Sequence, residues 1–162
     1  MWSDFTMLNL SDVVQWRRQW GREGLRVAFT NGCFDLLHYG HIDYLEKTAL
    51  LADRLILGLN SDRSVSRIKG NHRPIQAQDS RARVMGALAC IDAVVLFEED
   101  TPLALIRALM PDVLVKGGDY TIETIVGSVD VIKSGGSVVM LPIITGYSTS
   151  SIEKKILEAA AR

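Results

Sequence analysis

Five short apolar runs punctuate the chain, and between them apolar residues recur at intervals of three and four. The runs are residues 26–29, 54–59, 93–97, 112–116 and 137–141. Each has the length and apolar content of a buried strand. Between the first two, Ile42, Leu45 and Ala49 fall on one helical face. An opening helix capped by Ser11 or Asp12 is expected to run to about Trp20, with Gly21 and Gly24 ending it. Its Val13, Trp16 and Trp20 share a face that reads as packed on the protein's own sheet rather than as a partner-binding surface. Asp79 or Ser80 caps a further helix through Arg81, Val84, Leu88 and Ile91. Thr101-Pro102 starts another that ends near Met110-Pro111. A helix covers part of residues 122–133, and Tyr147 to Ser151 opens a closing helix through Lys155 and Ala160.

Strands alternating with helices predict an open, doubly wound α/β fold with five parallel strands. The first two strands and the helix between them form one βαβ unit. One domain is expected over residues 1–162, with an N-terminal helix at about 11–21 and a core at about 26–161. Ligands of such sheets bind beyond the carboxyl ends of the strands, where strand order reverses. Four polar segments follow strands and can converge there: TNGCFD, residues 60–78, KGGDY and GYSTS. Residues 60–78 read as a long loop carrying Arg63, Arg67, Lys69, His72 and Arg73. Such a loop is either a functional, mobile segment or a solvated surface connection. Its four permanent cations are expected to repel one another until polyphosphate binds, so the loop should order on nucleotide binding.

Composition narrows the function without naming it. Hydrophobic residues make up 48% and charged residues 23% of 162, as in an ordinary globular protein. The formal net charge of −1 gives no electrostatic case for nucleic acid or an anionic membrane as a partner. The start, MWSDFTMLNL, lacks the basic-then-apolar pattern of a leader, and no uncharged run is long enough for a membrane span. A cytoplasmic protein is expected. Cys33 and Cys90 are too few for a disulfide scaffold or a structural zinc site, and Cys33 reads as a small packed residue. No metal-binding cluster is legible.

Candidate chemistry concentrates in RVAFTNGCFDLLHYGHIDYLEK, residues 26–47. His38 and His41 stand where a loop becomes a helix. Free N–H groups and the positive end of the helix dipole attract phosphate at such a place. Two imidazoles beside it can donate hydrogen bonds to an oxyanion as charge builds. Gly40 lets a phosphate approach the main chain without meeting a side chain. The alternative is a pair of solvent-facing or core-capping histidines in an ordinary turn.

Thr30-Asn31-Gly32-Cys33-Phe34-Asp35 followed by His38-Tyr39-Gly40-His41 resembles the paired signature of the HxGH nucleotidyltransferases. Later segments extend the resemblance over residues 26–156. Lys69 matches a phosphate-binding lysine segment, and Arg81 heads a helix similar to the family's arginine-led helix. Lys116-Gly117-Gly118-Asp119-Tyr120 resembles a GDDW strand end, and Ser148-Thr149-Ser150 an ISTT-type closing signature. The resemblance implies a Rossmann-like nucleotidyltransferase fold with His38, His41 and Lys69 as catalytic residues. It implies nucleotide contacts from Thr30, Asn31, Gly32, Cys33, Phe34, Gly40, Arg81, Lys116, Gly118, Asp119, Ser148, Thr149 and Ser150.

Within the family, VKGGDY, EEDTP and NSDRSVSRIKG are most similar to the adenylyltransferase domain that makes ADP-heptose from heptose 1-phosphate, an early step toward lipopolysaccharide. The implied reaction transfers AMP from ATP, with Mg²⁺, to a sugar 1-phosphate and releases pyrophosphate. That domain is often fused to a sugar kinase. Here a separate kinase in the same pathway is implied, and a homo-oligomer is left open. Two features depart from the CTP-using relatives. Thr145-Gly146-Tyr147 stands where they carry arginine, and Gly118 replaces the first aspartate of GDDW. A cytidylyltransferase for a small polyol phosphate and a non-catalytic nucleotide sensor are the competing readings.

Overall fold

The computed structural model describes residues 8–161, so most of the opening stretch read for a leader lies outside the described residues. One five-stranded sheet organises the chain. Its strands are β1 (Val27–Gly32), β2 (Arg54–Asn60), β3 (Ala93–Phe97), β4 (Val113–Gly117) and β5 (Ser137–Leu141). They lie in the order β3-β2-β1-β4-β5, and every pairing is parallel. The chain builds outward from β1 to β3, then crosses back to place β4 on the other side of β1. The order therefore reverses between β1 and β4. The doubly wound, Rossmann-like nucleotidyltransferase fold expected from the sequence is the one observed.

Seven helices cover the sheet among the described residues. They are α1 (Leu10–Arg22), α2 (Tyr39–Ala49), α3 (Asp62–Lys69), α4 (Gln78–Gly86), α5 (Leu103–Leu109), α6 (Ser128–Lys133) and α7 (Thr149–Ala160). Side chains alternate across each strand, so the sheet feeds two separate apolar layers. Phe29 and Ile56 point to one face, where Val13 and Trp20 of α1, Ile106 of α5 and Val131 of α6 pack. Leu55, Leu57 and Leu59 point to the other, against Leu45 of α2 and Met85 of α4. Full burial of one such side chain contributes about 1.5–3 kcal/mol, which is why five short runs suffice to fix the sheet.

An aspartate precedes each of β2, β3 and β4, and each sets a strand start. Asp53 accepts a hydrogen bond from the Arg26 amide, Asp92 from the Leu55 amide and Asp112 from the Val27 amide, all at 2.8 Å. The neighbouring strand's first free N–H is thereby satisfied, and the register at that end is pinned.

Several boundaries differ from the sequence reading. The cap of α1 is Asn9, whose side chain accepts from the Asp12 amide at 3.0 Å, and the helix continues through Gly21. Val13 and Trp20 are buried, whereas Trp16 is 41% exposed. Helix α4 starts at Gln78 without a side-chain cap and stops at Gly86, leaving Leu88 and Ile91 in the following turn.

The larger correction concerns residues 60–78. They are not one long loop, because Ser61 caps α3 by accepting from the Ser64 amide at 3.2 Å. Val65 buries beneath that helix, and Ser64 donates to the Glu99 carbonyl at 3.1 Å. The expected repulsion among cations is also absent. Arg63 pairs with Glu98 at 3.0 Å, Arg67 with Asp100 at 2.7 Å, and Arg73 with Asp35 and Glu153. Short helices of low apolar content draw their stability from such tertiary partners, which sequence spacing does not display.

Candidate active site

A cleft of about 870 Å³ opens along the carboxyl ends of the strands, at the point where their order reverses. Its floor is the turn from β1 into α2. Phe34 adopts φ +44°, a left-handed conformation that a bulky residue rarely takes, and its ring is buried. A Cβ at Gly32 would stand 2.7 Å from that ring, so glycine is required there. Asp35 is buried, and its carboxylate accepts from the Ile75 amide at 2.8 Å and the Gln76 amide at 2.9 Å. Arg73 adds a contact at 3.1 Å. Burial alone would raise the Asp35 pKa, but these donors outweigh it and hold the carboxyl below its ordinary value.

His38 stands at the N-terminal boundary of α2 without a side-chain capping bond, and His41 occupies the third helical position, so both rings rise on one side of the helix start. They stack with centroids 3.7 Å apart and planes 19° apart. Phe34 lies against His41 at a centroid distance of 5.0 Å. Burial and then the neighbouring His38 lower the His41 pKa to about 4, and burial lowers His38 as well. Both rings are therefore neutral at pH 7. Their Nδ1 atoms are buried without a hydrogen-bond partner among the described residues. Gly40 has a packing reason beyond phosphate access: an added Cβ would meet Tyr147 at 3.2 Å and the His38 ring at 3.3 Å.

The cleft walls carry most of the residues singled out in the sequence. Asn31, Gly32, Cys33, Phe34, Gly40, Lys69, Lys116, Ser148, Thr149 and Ser150 all line it with the two histidines. Lys116 donates to Asn31 Oδ1 at 3.3 Å, and burial lowers its ammonium below the ordinary lysine value. Lys69 ends α3 at the rim, exposed and without an ion pair among the described residues. Burial pushes the Cys33 thiol up, which keeps it uncharged at neutral pH. Ser148 caps α7 by accepting from the Ser151 amide at 3.1 Å.

Four of the singled-out residues do not line the cleft. Thr30 is fully buried and shares a hydrogen bond of 2.7 Å with the Tyr44 hydroxyl. Gly118, at φ +113°, donates its amide to the Leu141 carbonyl at 3.0 Å, and Asp119 is exposed. Arg81 differs most from expectation. It is buried, and donates to the Cys33 carbonyl at 2.6 Å, the Gln76 carbonyl at 3.0 Å and Asp62 at 2.8 Å. A guanidinium so committed braces the turn from behind and has no face toward a phosphate. The sequence reading gave no role to Asp35, Tyr44, Asn60, Tyr147 or Glu153, all of which line the cleft. Asp35 and Tyr147 stood inside quoted motifs, whereas nothing local marked Glu153.

Residues 29–155 match the model of a family described as cytidylyltransferase-like. The chain belongs to that family. It is 54% identical over 150 residues to the bifunctional protein HldE of Mesorhizobium japonicum, covering 93% of this chain and 30% of the relative. The corresponding protein of Trichlorobacter lovleyi is 55% identical over 150 residues, again with 30% of its length covered. The chain thus spans about 30% of the length of these curated relatives. Among solved structures, a lipopolysaccharide core biosynthesis protein from Thermoplasma volcanium superposes with a TM-score of 0.60 at 27% identity. That match covers 77% of this chain and all of the other. A pantoate-beta-alanine ligase from Francisella tularensis matches at a TM-score of 0.55 and 15% identity, over 97% of this chain and 80% of that one, and shares the fold. The HxGH resemblance of the sequence is borne out at the level of the cytidylyltransferase-like family.

No described helix is long and apolar enough to cross a membrane. No three His, Cys, Asp or Glu side chains among the described residues converge as a metal site.

Proposed function

We propose that this cytidylyltransferase-like chain transfers AMP from ATP to a sugar 1-phosphate, the best candidate being heptose 1-phosphate. The observation that carries the reading is the stacked, uncharged pair His38–His41 at the start of α2, which lines the cleft. The serine-capped start of α7 lines the same cleft. A second helix N-terminus supplies backbone donors for anionic oxygens without adding formal charge. The sugar specificity draws its support from the HldE relatives and from VKGGDY, EEDTP and NSDRSVSRIKG.

The acceptor's phosphate oxygen bonds to the α-phosphorus as the bond to the bridging oxygen breaks, and pyrophosphate leaves. A phosphate monoester is already an anionic nucleophile, so no general base is required. Catalysis then consists of alignment and of stabilising charge on the transferring and leaving groups. His38 and His41 each offer one N–H from a neutral ring to the α/β-phosphate region. Lys69 and the Ser148–Ser150 start take the outer phosphates, and Lys116, beside Asn31, meets the acceptor phosphate. Tyr120, Ile143 and Tyr147 line the cleft toward β4 and β5 and suit the nucleoside. A triphosphate carries its own oxygen ligands for Mg²⁺ and needs no dedicated protein cage to bring the ion. Bound there, the ion would neutralise phosphate charge. The setting is cytoplasmic, where ATP is supplied and a sugar kinase activity provides the phosphorylated acceptor.

Pyrophosphate release with ATP or CTP, Mg²⁺ and a panel of sugar and polyol phosphates tests the reading. The expected result is turnover with ATP and a sugar 1-phosphate. Turnover only with CTP and a polyol phosphate would replace it with a cytidylyltransferase. Nucleotide binding without turnover on any acceptor would favour a sensor.

A further inference from the structure

Helix α7 brings Ser148–Ser150 to the cleft, yet its apolar side chains do little to hold it there. None of its residues is fully buried, and Ile156 and Leu157 are 58% and 65% exposed. Three contacts near its start tie it to the β1–α2 connection, one of them through Arg73. Thr149 donates to the Leu36 carbonyl at a long 3.4 Å, the Tyr147 ring meets Tyr39 edge-on at 5.2 Å, and Glu153 pairs with Arg73. Only the last involves charge, and its arginine is buried.

We propose that Arg73 is a positioning residue for the nucleotide site, clamped between Asp35 and Glu153 so that the start of α7 is set against the β1–α2 turn. On the inner side the clamp is rigid. Asp35 takes Arg73 at 3.1 Å and also binds the Ile75 and Gln76 amides, while Ser66 donates to the Arg73 carbonyl at 2.6 Å. On the outer side a single carboxylate receives the other end of the guanidinium. Glu153 lies four residues after Thr149 and so projects from the same helix face, which means that fixing one fixes the other. The planar fork of arginine suits two carboxylates at once, and the two carboxylates balance its charge in the cleft wall. Two anion-attracting helix starts, one at His38–Gly40 and one at Ser148–Ser150, are thereby held at one spacing. A polyphosphate that spans them gains from a span set in advance.

The clamp is testable on the unliganded protein by hydrogen exchange, and through ligand by ATP affinity and steady-state kinetics. In Glu153→Gln, the amides of α7 should exchange about fivefold faster or more, because the helix is released locally while the sheet is untouched. The Kd and KM for ATP should rise about five- to tenfold with kcat within about threefold, the pattern of lost binding rather than lost chemistry. Arg73→Lys should act in the same direction, and the double variant should be no worse than the more severe single one, since both break one connection. Glu158→Gln, whose carboxylate meets Lys154 at 3.8 Å on the exposed side of α7, should change none of these. Unchanged exchange, unchanged Kd, or a fall in kcat at constant Kd would each overturn the proposal. A melting temperature lowered by more than about 2–4 °C would make Glu153 a general stability residue and overturn it too. The affinity arm rests on the reading of the cleft as an ATP site. Wild-type protein that binds no ATP would sink that reading, while the ligand-free exchange comparison would still decide the clamp.

Discussion

His38 and His41 stack face to face at 3.7 Å, and each leaves a buried Nδ1 without a partner. Residues three apart at a helix start rise on one side, so the HxGH spacing itself brings the rings together. A charged pair at this distance would repel, and burial already disfavours charge on either ring. The site is thus built around two neutral donors. Polar atoms buried without partners are costly to maintain, and perturbed titratable groups in a cleft are concentrated at functional sites.

Replacing either histidine should affect turnover far more than nucleotide affinity. His38→Ala and His41→Ala are each expected to lower kcat by about 10²–10³, the usual cost of losing one transition-state donor. Nucleotide Kd should change by less than about tenfold in the same proteins. Near-wild-type kcat in folded variants would remove both residues from the chemistry.

The same two rings should make stability sensitive to acid. Their folded pKa values lie below the unfolded value of 6.5, with His41 at about 4. Between those values the unfolded chain binds more protons than the folded one, so stability is full above about pH 7 and falls as pH drops toward 4. Urea melts at pH 7.5 and pH 5 should show this loss, and His41→Gln should reduce it. An equal loss in wild type and variant would contradict the buried, neutral assignment.

Arg81 and Lys69 should separate cleanly, although both are cations in family motifs. Arg81→Ala should cost about 2–4 kcal/mol of stability, because it strips the Cys33 and Gln76 carbonyls of their donor and empties a buried site. Lys69→Ala should leave stability within about 0.5 kcal/mol, as for other exposed positions, and raise the KM for nucleotide. Denaturant unfolding beside steady-state kinetics reads both. A stable Arg81→Ala protein with only a raised KM would return Arg81 to the phosphate site.

Gly40→Ala is expected to fold and yet lose activity, by about 10-fold or more. The added methyl would meet Tyr147 and the His38 ring, and even a displacement of about 1 Å at a catalytic group can cost 10²-fold in rate. Unaltered kcat and KM would mean that the cleft accommodates the methyl and that its geometry is not set there.

Much of this architecture was legible in the chain. The five apolar runs and the three-and-four periodicity between them are local consequences of burial on two sheet faces, so strand and helix order could be read directly. The loop-to-helix placement of His38, Gly40 and His41 was equally local, as was the serine cap of α7. What the sequence could not supply was the partner of each charge. Arg81 meets the Cys33 carbonyl 48 residues away, and Arg73 meets Glu153 across 80 residues. A cation in a motif looks the same whether it faces phosphate or a buried carboxylate. Helix α3 was missed for a related reason, since its stability comes from Asn60, Ser61, Glu98 and Asp100 rather than from apolar periodicity. Local pattern set the five strands and the helices with an apolar face, because side-chain spacing decides which face can be buried. The tertiary structure alone decided which charges serve the fold and which stand open in the cleft, because that depends on what the folded chain brings within about 3 Å.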